Sequence, residues 1–154
     1  MTMKTRKDII VVDLDGTLCD CAHRQDYARA GQWEEFHSRL VHDVPHEDVA
    51  YFLKELSSYH KVIAVTGRNE AFRQLTWDWL KKHKLDENID EILMRPDGDW
   101  SSDHELKTQM LEKALGNKST VLERIAIVLE DRDKVIEAYR NYGLPCWQVR
   151  PGSF

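Results

Sequence analysis

Ile9-Ile10-Val11-Val12-Asp13-Leu14-Asp15-Gly16-Thr17-Leu18 sets two carboxylates, one residue apart, directly after an apolar run. Four consecutive β-type residues read as a strand buried on both faces, the habit of parallel sheets covered by helices. Open α/β sheets bind ligands at their carboxyl edge, so Asp13 and Asp15 emerge where a site forms. One carboxylate there can attack phosphorus, its neighbour can move a proton, and the pair attracts a hard cation. Asp-x-Asp-Gly-Thr arises by accident in about one chain per thousand of this length. A calcium loop would need an acid or amide at Thr17, glycine at Leu18 and glutamate at Arg24, and fails at all three. The catalytic reading of the motif is preferred.

Outward from this stretch, apolar β-type runs alternate with helical periodicity, which predicts a three-layer α/β fold with a mainly parallel sheet. The predicted strands are Ile9–Asp13, Lys61–Thr66, Glu91–Met94, Ile125–Glu130 and Cys146–Val149. Val49, Phe52, Leu53, Leu56 and Tyr59 recur at helical spacing and predict a helix from Pro45 to Tyr59, with Pro45 in its first turn. A second helix is predicted from Glu70 to Lys82. A third opens at Ser102 with a capping box to Glu105, and the last is closed by Gly143. Residues 20–44 interrupt the alternation and are rich in His, Arg, Trp and Phe. Tyr27, Trp33, Phe36 and Leu40 can make one or two short amphipathic helices. The segment reads either as a small helical cap over the sheet edge or as a packed surface excursion.

At 154 residues the chain fits a single domain spanning 1–154, large enough for a helix-covered sheet. No apolar run is long enough to span a bilayer, and Met1-Thr2-Met3-Lys4 lacks a signal-peptide core, so a cytoplasmic location is expected. Three cysteines make no disulfide framework. Cys19, Cys21 and His23 find no second pair to complete a zinc tetrahedron. A net charge of −5 without a basic block argues against extended nucleic-acid binding, but leaves room for a grip on one terminal phosphate.

Three further strand ends repeat the opening logic. Thr66-Gly67-Arg68 can hold phosphate oxygens through a hydroxyl, an amide and a guanidinium; the alternative is a helix cap followed by an exposed arginine. Glu130-Asp131-Arg132-Asp133 can complete an oxygen-ligated magnesium site, or merely enrich a helix N-terminus in acids. Lys107 and Arg95 are ambiguous, and sequence alone favours a solvated surface position for Lys107. Asp13 and Asp15 are too close for both to ionise comfortably, so one proton should be retained for donation, and a metal on one carboxylate would leave it on the other.

The order Asp-x-Asp-Gly-Thr, Thr-Gly-Arg, lysine, then an acidic pair after a strand resembles the haloacid dehalogenase superfamily of phosphotransferases. Leu129-Glu130-Asp131-Arg132-Asp133-Lys134-Val135, Cys146-Trp147-Gln148-Val149 and Gly152-Ser153-Phe154 resemble more narrowly the 3′-phosphatase domain of bacteriophage polynucleotide kinases. Met94-Arg95 followed by Asp103-His104-Glu105-Leu106-Lys107 fits that branch. The resemblance implies a HAD-like fold in which Asp13 is the nucleophile and Asp15 the general acid and base. It implies Mg2+ held by Asp13, the Asp15 carbonyl and Asp131. Thr66 and Gly67 would hold phosphate oxygens, Lys107 would balance charge, and Arg68, Arg95 and Arg132 would surround the substrate phosphate. The implied substrate is a 3′-phosphorylated DNA or RNA end, with small nucleotides as the rival and a non-catalytic metal-binding module as a further alternative. Glu130 stands where the phage domain has aspartate. No Gly-x-x-x-x-Gly-Lys-Ser/Thr segment is present, so no phosphate loop for ATP is expected. Oligomeric state is not legible.

Overall fold

The computed structural model describes residues 7–153; Met1–Lys4 and Phe154, drawn on above, lie outside them. Seven strands run in chain order: β1 Ile9–Val12, β2 Cys19–Asp20, β3 Val44–Pro45, β4 Lys61–Asn69, β5 Glu91–Arg95, β6 Ile125–Glu130 and β7 Cys146–Gln148. The α-helices are α1 Gln25–Arg29, α2 Trp33–Ser38, α3 Glu47–Leu56, α4 Arg73–Lys82, α5 Asp103–Leu115, α6 Lys118–Arg124 and α7 Asp133–Tyr142. Five strands form one sheet in the order β5-β4-β1-β6-β7, every pair parallel. The chain steps from β1 out to β5, then crosses to β6 on the other side of β1. The strand order therefore reverses between β1 and β6, the crevice where such sheets bind ligands.

Ile9, Ile10, Val11 and Val12 are all buried, and their side chains alternate between two cores. Ile10 and Val12 pack with Leu53, Trp79 and Leu80 on the α3–α4 side, whereas Ile9 and Val11 pack with Leu111, Val135 and Tyr139 on the α5–α7 side. A register irregularity opposite Ile9 and Ile10 skips Ala126, which sends Ile125 and Ile127 to opposite faces. β1 and β6 leave this core side by side, ending at Val12, just before Asp13, and at Glu130.

Several boundaries differ from the sequence reading. Pro45 pairs with Cys19 in a two-residue antiparallel ladder, and α3 starts only at Glu47. Residues 70–72 form a 3-10 turn before α4. The capping box is not made, because Ser102 Oγ lies 3.2 Å from His104 Nε2 while the Ser102 carbonyl accepts from the Glu105 amide. Helix α6 was not anticipated; Asn117 caps it by accepting from the Thr120 amide. Between β2 and β3 the insertion forms α1 and α2 with flanking 3-10 turns. It is tied to α4 by Trp79 Nε1 donating to the Asp43 carbonyl at 2.9 Å.

Candidate active site

The turn after β1 is shaped by Gly16, whose φ of +86° suits glycine and where a side chain would strike the Asp131 carboxylate. The Thr17 and Cys19 amides both donate to the Leu14 carbonyl, so the turn is tight. It leaves Asp13 and Asp15 in two different environments.

Asp13 is 5% exposed, and its carboxylate accepts from Lys107 Nζ at 2.8 Å and Thr17 Oγ1 at 2.9 Å. Thr17 Oγ1 also lies 3.3 Å from Asp131 Oδ1. Lys107 donates at 2.8 Å to Glu130 as well, and Glu130 turns its other oxygen to the amides of Asp131 and Arg132. Lys107 is thus buried between two carboxylates, not solvated as its sequence context favoured. One oxygen each from Asp13, Glu130 and Asp131 falls within 4.8 Å of the others. Asp13 and Glu130 share one lysine, with Asp131 beside them. Burial and the Glu130 charge push Asp13 well above the usual carboxylate range, against the pull of Lys107. Burial and Glu130 likewise raise Asp131 to about 7. Burial works on Glu130 in the same direction, but Lys107 and the Asp131 amide hold it low. Fully ionised, the cluster would carry more negative charge than Lys107 neutralises, and its donors are all oxygen. Such a set fits a hard divalent cation of the magnesium type rather than zinc.

Asp15 has different partners. Arg68 chelates it through Nη2 at 2.7 Å and Nε at 3.2 Å, and Arg24 adds a second ion pair. Arg24 is itself held by Asp43 at 2.6 and 2.9 Å and by the Phe36 carbonyl, all within the insertion. Burial opposes ionisation of Asp15, yet Arg68 and Arg24 overcome it and hold its carboxyl far below the usual range. Asp15 is thus held toward its ionised form, whereas Asp13 and Asp131 are pushed toward their protonated forms.

Thr66-Gly67-Arg68 occupies an irregularity in the β4–β5 pairing between Val65 and Asn69. Such bulges re-aim side chains. Thr66 is buried and accepts from the Arg68 amide, so it caps no helix. Arg68 points inward and is 1% exposed, held by Asp15 and Thr76 rather than open to a phosphate. Arg95 likewise serves its own loop, donating to the carbonyls of Gly67, Asp99 and Ser101 and to Asp103 Oδ1 at 2.5 Å. Arg132 meets the other oxygen of Asp103 at 2.8 Å and keeps 31% of its side chain exposed. Behind the site, Gln148 Nε2 donates to the Asp131 carbonyl at 3.0 Å. The Asp133 amide donates to the Gly152 carbonyl at 2.7 Å, which fixes the loop carrying Asp131 against residues 148–152.

Sequence reading missed Arg24 and Asp43, because nothing separates a buried charge from a solvated one in a polar insertion. It quoted Asp103 without giving it a role. Asp103 was detectable only as an acid four residues before Lys107, one helical turn along the same face.

A family model described as the polynucleotide kinase PNKP phosphatase domain matches residues 7–154. Two structures of the Pnkp1/Rnl/Hen1 RNA repair complex hold a chain 30% identical to this one, each with a TM-score of 0.80. The matches cover 96% and 99% of this chain but 44% and 49% of those chains, so it spans about half their length. The haloacid dehalogenase-like hydrolase SP0104 of Streptococcus pneumoniae shares the fold at 17% identity and a TM-score of 0.66, over 92% of this chain and 83% of its own. The L-2-haloacid dehalogenase of Xanthobacter autotrophicus does so at 14% identity and 0.63, over 94% and 78%. No curated protein sequence matches. With the parallel sheet and its acidic edge, the match over residues 7–154 establishes that the chain belongs to the PNKP phosphatase domain family and is a haloacid dehalogenase-type phosphatase.

Proposed function

We propose that the chain removes the terminal 3′-phosphate from DNA or RNA ends through an aspartyl-phosphate on Asp13. The observation that carries this reading is the meeting of Asp13, Glu130 and Asp131 around one oxygen-lined point beside Lys107. An Asp13 oxygen attacks phosphorus as the bond to the leaving oxygen breaks, and Asp15 supplies that oxygen's proton. Water then attacks the aspartyl-phosphate, gives its proton to Asp15, and frees inorganic phosphate and Asp13. The ionised Asp15 of this conformation suits the second step. The first requires Arg24 or Arg68 to loosen, which an arriving phosphate dianion favours by competing for them. Asp13, Asp131 and the Asp15 carbonyl would hold Mg2+, which supplies charge neutralisation to the transferring phosphoryl group. Thr66 and the Gly67 amide would hold its oxygens, with Arg132 at the open side. Relatives from an RNA repair complex favour a nucleic-acid end, while the net charge of −5 favours a small nucleotide. No helix among the described residues is long and apolar enough to cross a membrane.

Release of phosphate from a 3′-phosphorylated oligonucleotide, compared at matched concentration with 3′- and 5′-mononucleotides, decides between the two. The expected result is a clear preference for the oligonucleotide. Preference for the 5′-mononucleotide makes the chain a nucleotidase.

The acidic cluster also predicts how metal binding varies with pH. Between 3.8 and about 7 Asp131 keeps a proton in the folded chain that it loses when unfolded. Its contribution to stability is full below 3.8 and lost as pH rises through 7. Magnesium replaces that proton, so the Tm increase on adding it should grow from pH 5.5 to pH 8. Buried His37, lowered to about 4, acts oppositely between 4 and 6.5, but equally with and without metal. A metal-induced shift that is flat with pH would show that the cluster is not the binding site.

A further inference from the structure

We propose that Trp100 is a stacking platform for the nucleobase adjoining the 3′-phosphate, an inference that rests on the substrate class proposed above. Trp100 is 85% exposed, more than any other large apolar side chain described. Among the described residues no ring or cation packs on its indole. Trp33, 48% exposed, leans on Phe36 with ring centres 5.8 Å apart, and Trp147 meets Phe52 at 6.0 Å. The other aromatic side chains of the insertion are occupied: Phe36 lies under Arg24 and Tyr27 under Arg39.

An exposed indole on a loose loop would mean little, but this loop is pinned. It follows β5 at the carboxyl edge of the sheet, the edge that carries Asp13 and Asp131. Arg95 Nη1 reaches the carbonyls on both sides of Trp100, Asp99 at 3.1 Å and Ser101 at 2.6 Å. The Ser101 amide and hydroxyl both donate to Asp99 Oδ1, at 2.9 and 2.5 Å, and the Asp99 amide closes a turn onto Pro96. The same guanidinium holds the Gly67 carbonyl and Asp103, which in turn holds Arg132. One arginine therefore fixes the backbone that carries Trp100 relative to the peptide and the cation proposed to meet the phosphate. The backbone that displays the ring is ordered beforehand, so binding does not incur the loop-ordering cost that a mobile loop would.

The neighbours choose the ligand's face. Asp97 and Asp99 repel a phosphate backbone, so the contact is made by the π-face of a base, which every nucleotide offers. A platform of this kind raises affinity without an extended basic track, in keeping with an acidic chain. Binding should weaken only shallowly with salt.

The test compares the wild type with Trp100→Ala and Trp100→Phe, using a 3′-phosphorylated oligonucleotide and a small aryl phosphate. The ratio of their kcat/KM values should fall about tenfold in Trp100→Ala and stay within about twofold in Trp100→Phe. An unchanged ratio in Trp100→Ala overturns the platform. A second arm titrates an unphosphorylated oligonucleotide and follows tryptophan fluorescence. The quench seen in the wild type should lose most of its amplitude in Trp100→Phe, and a fully retained quench overturns the platform. A wild type that hydrolyses the aryl phosphate but not the oligonucleotide sinks the substrate reading instead, and the quench then judges the platform alone.

Discussion

Asp13→Asn is expected to lower phosphate release by roughly three orders of magnitude or more while leaving a folded protein. The amide is isosteric with the carboxylate but is no nucleophile toward phosphorus. Its effect on stability should be small. Burial and Glu130 already oppose the charge on Asp13, so a neutral side chain relieves a penalty, and Lys107 keeps its bond to Glu130. The metal-free Tm should stay within a few degrees of the wild type, and the Tm increase on adding Mg2+ should shrink because one ligand has weakened. Steady-state release from an aryl phosphate and a pair of thermal melts measure both. Turnover above a tenth of the wild-type rate would remove Asp13 from the nucleophilic role. Lost turnover with a collapsed Tm would make it a scaffold residue.

The parts of this site that were legible in the sequence are those that local pattern alone determines. A doubly buried strand must be apolar throughout, so β1 and β6 stand out, and whatever follows them lies on the ligand edge. Asp13, Asp15 and Asp131 were found in this way. Their partners were not, because partnership depends on tertiary burial. Lys107 sits near the start of α5, where a solvated lysine is the commoner outcome, and only the fold brings it to Asp13 and Glu130. Arg24 and Asp43 belong to an insertion whose charges look like those of any surface loop. Arg68 reads as a phosphate ligand until the irregularity in β4 turns it inward to Asp15. Helix α6 is seven residues long with one fully buried apolar side chain, Val121, too little for a periodic signal. The capping box failed for a different reason. Ser102 has a competing partner two residues on, and a side-chain cap is easily replaced by the backbone.

These hidden pairings change the chemical picture more than the fold. Sequence reading treated Asp13 and Asp15 as one pair competing for one proton. The structure divides them into an acid-rich pocket with one lysine and an arginine-rich pocket with two paired acids. Arg24, the link between Asp15 and the insertion, makes the protonation of Asp15 depend on where the insertion sits. An insertion of only two short helices can thereby influence a proton on Asp15.

Lys107→Met should be the most destabilising substitution in the site. The methionine keeps the stem's volume but leaves Asp13 and Glu130, buried and within 4.8 Å of each other and of Asp131, with no lysine between them. Removing one partner of a buried ion pair costs about 3–5 kcal/mol, which for a chain of this size is roughly a 10 °C loss of Tm. The loss should depend on pH in a definite direction. Without the lysine Asp13 is pushed further up, and Glu130 loses the pairing that holds it low. Both then take up a proton more readily in the folded state, and a raised carboxyl contributes stability at low pH that disappears as pH climbs through its folded value. The variant should thus lie near the wild type at pH 5 and fall well below it at pH 8, where Mg2+ should restore part of the difference by supplying the missing positive charge. Melts at the two pH values, with and without metal, read each of these directly. A Lys107→Met protein melting within 2 °C of the wild type at pH 8 would mean that the carboxylates relax apart or admit water. The single lysine would then not be what holds Asp13 and Glu130 together at the edge of this sheet.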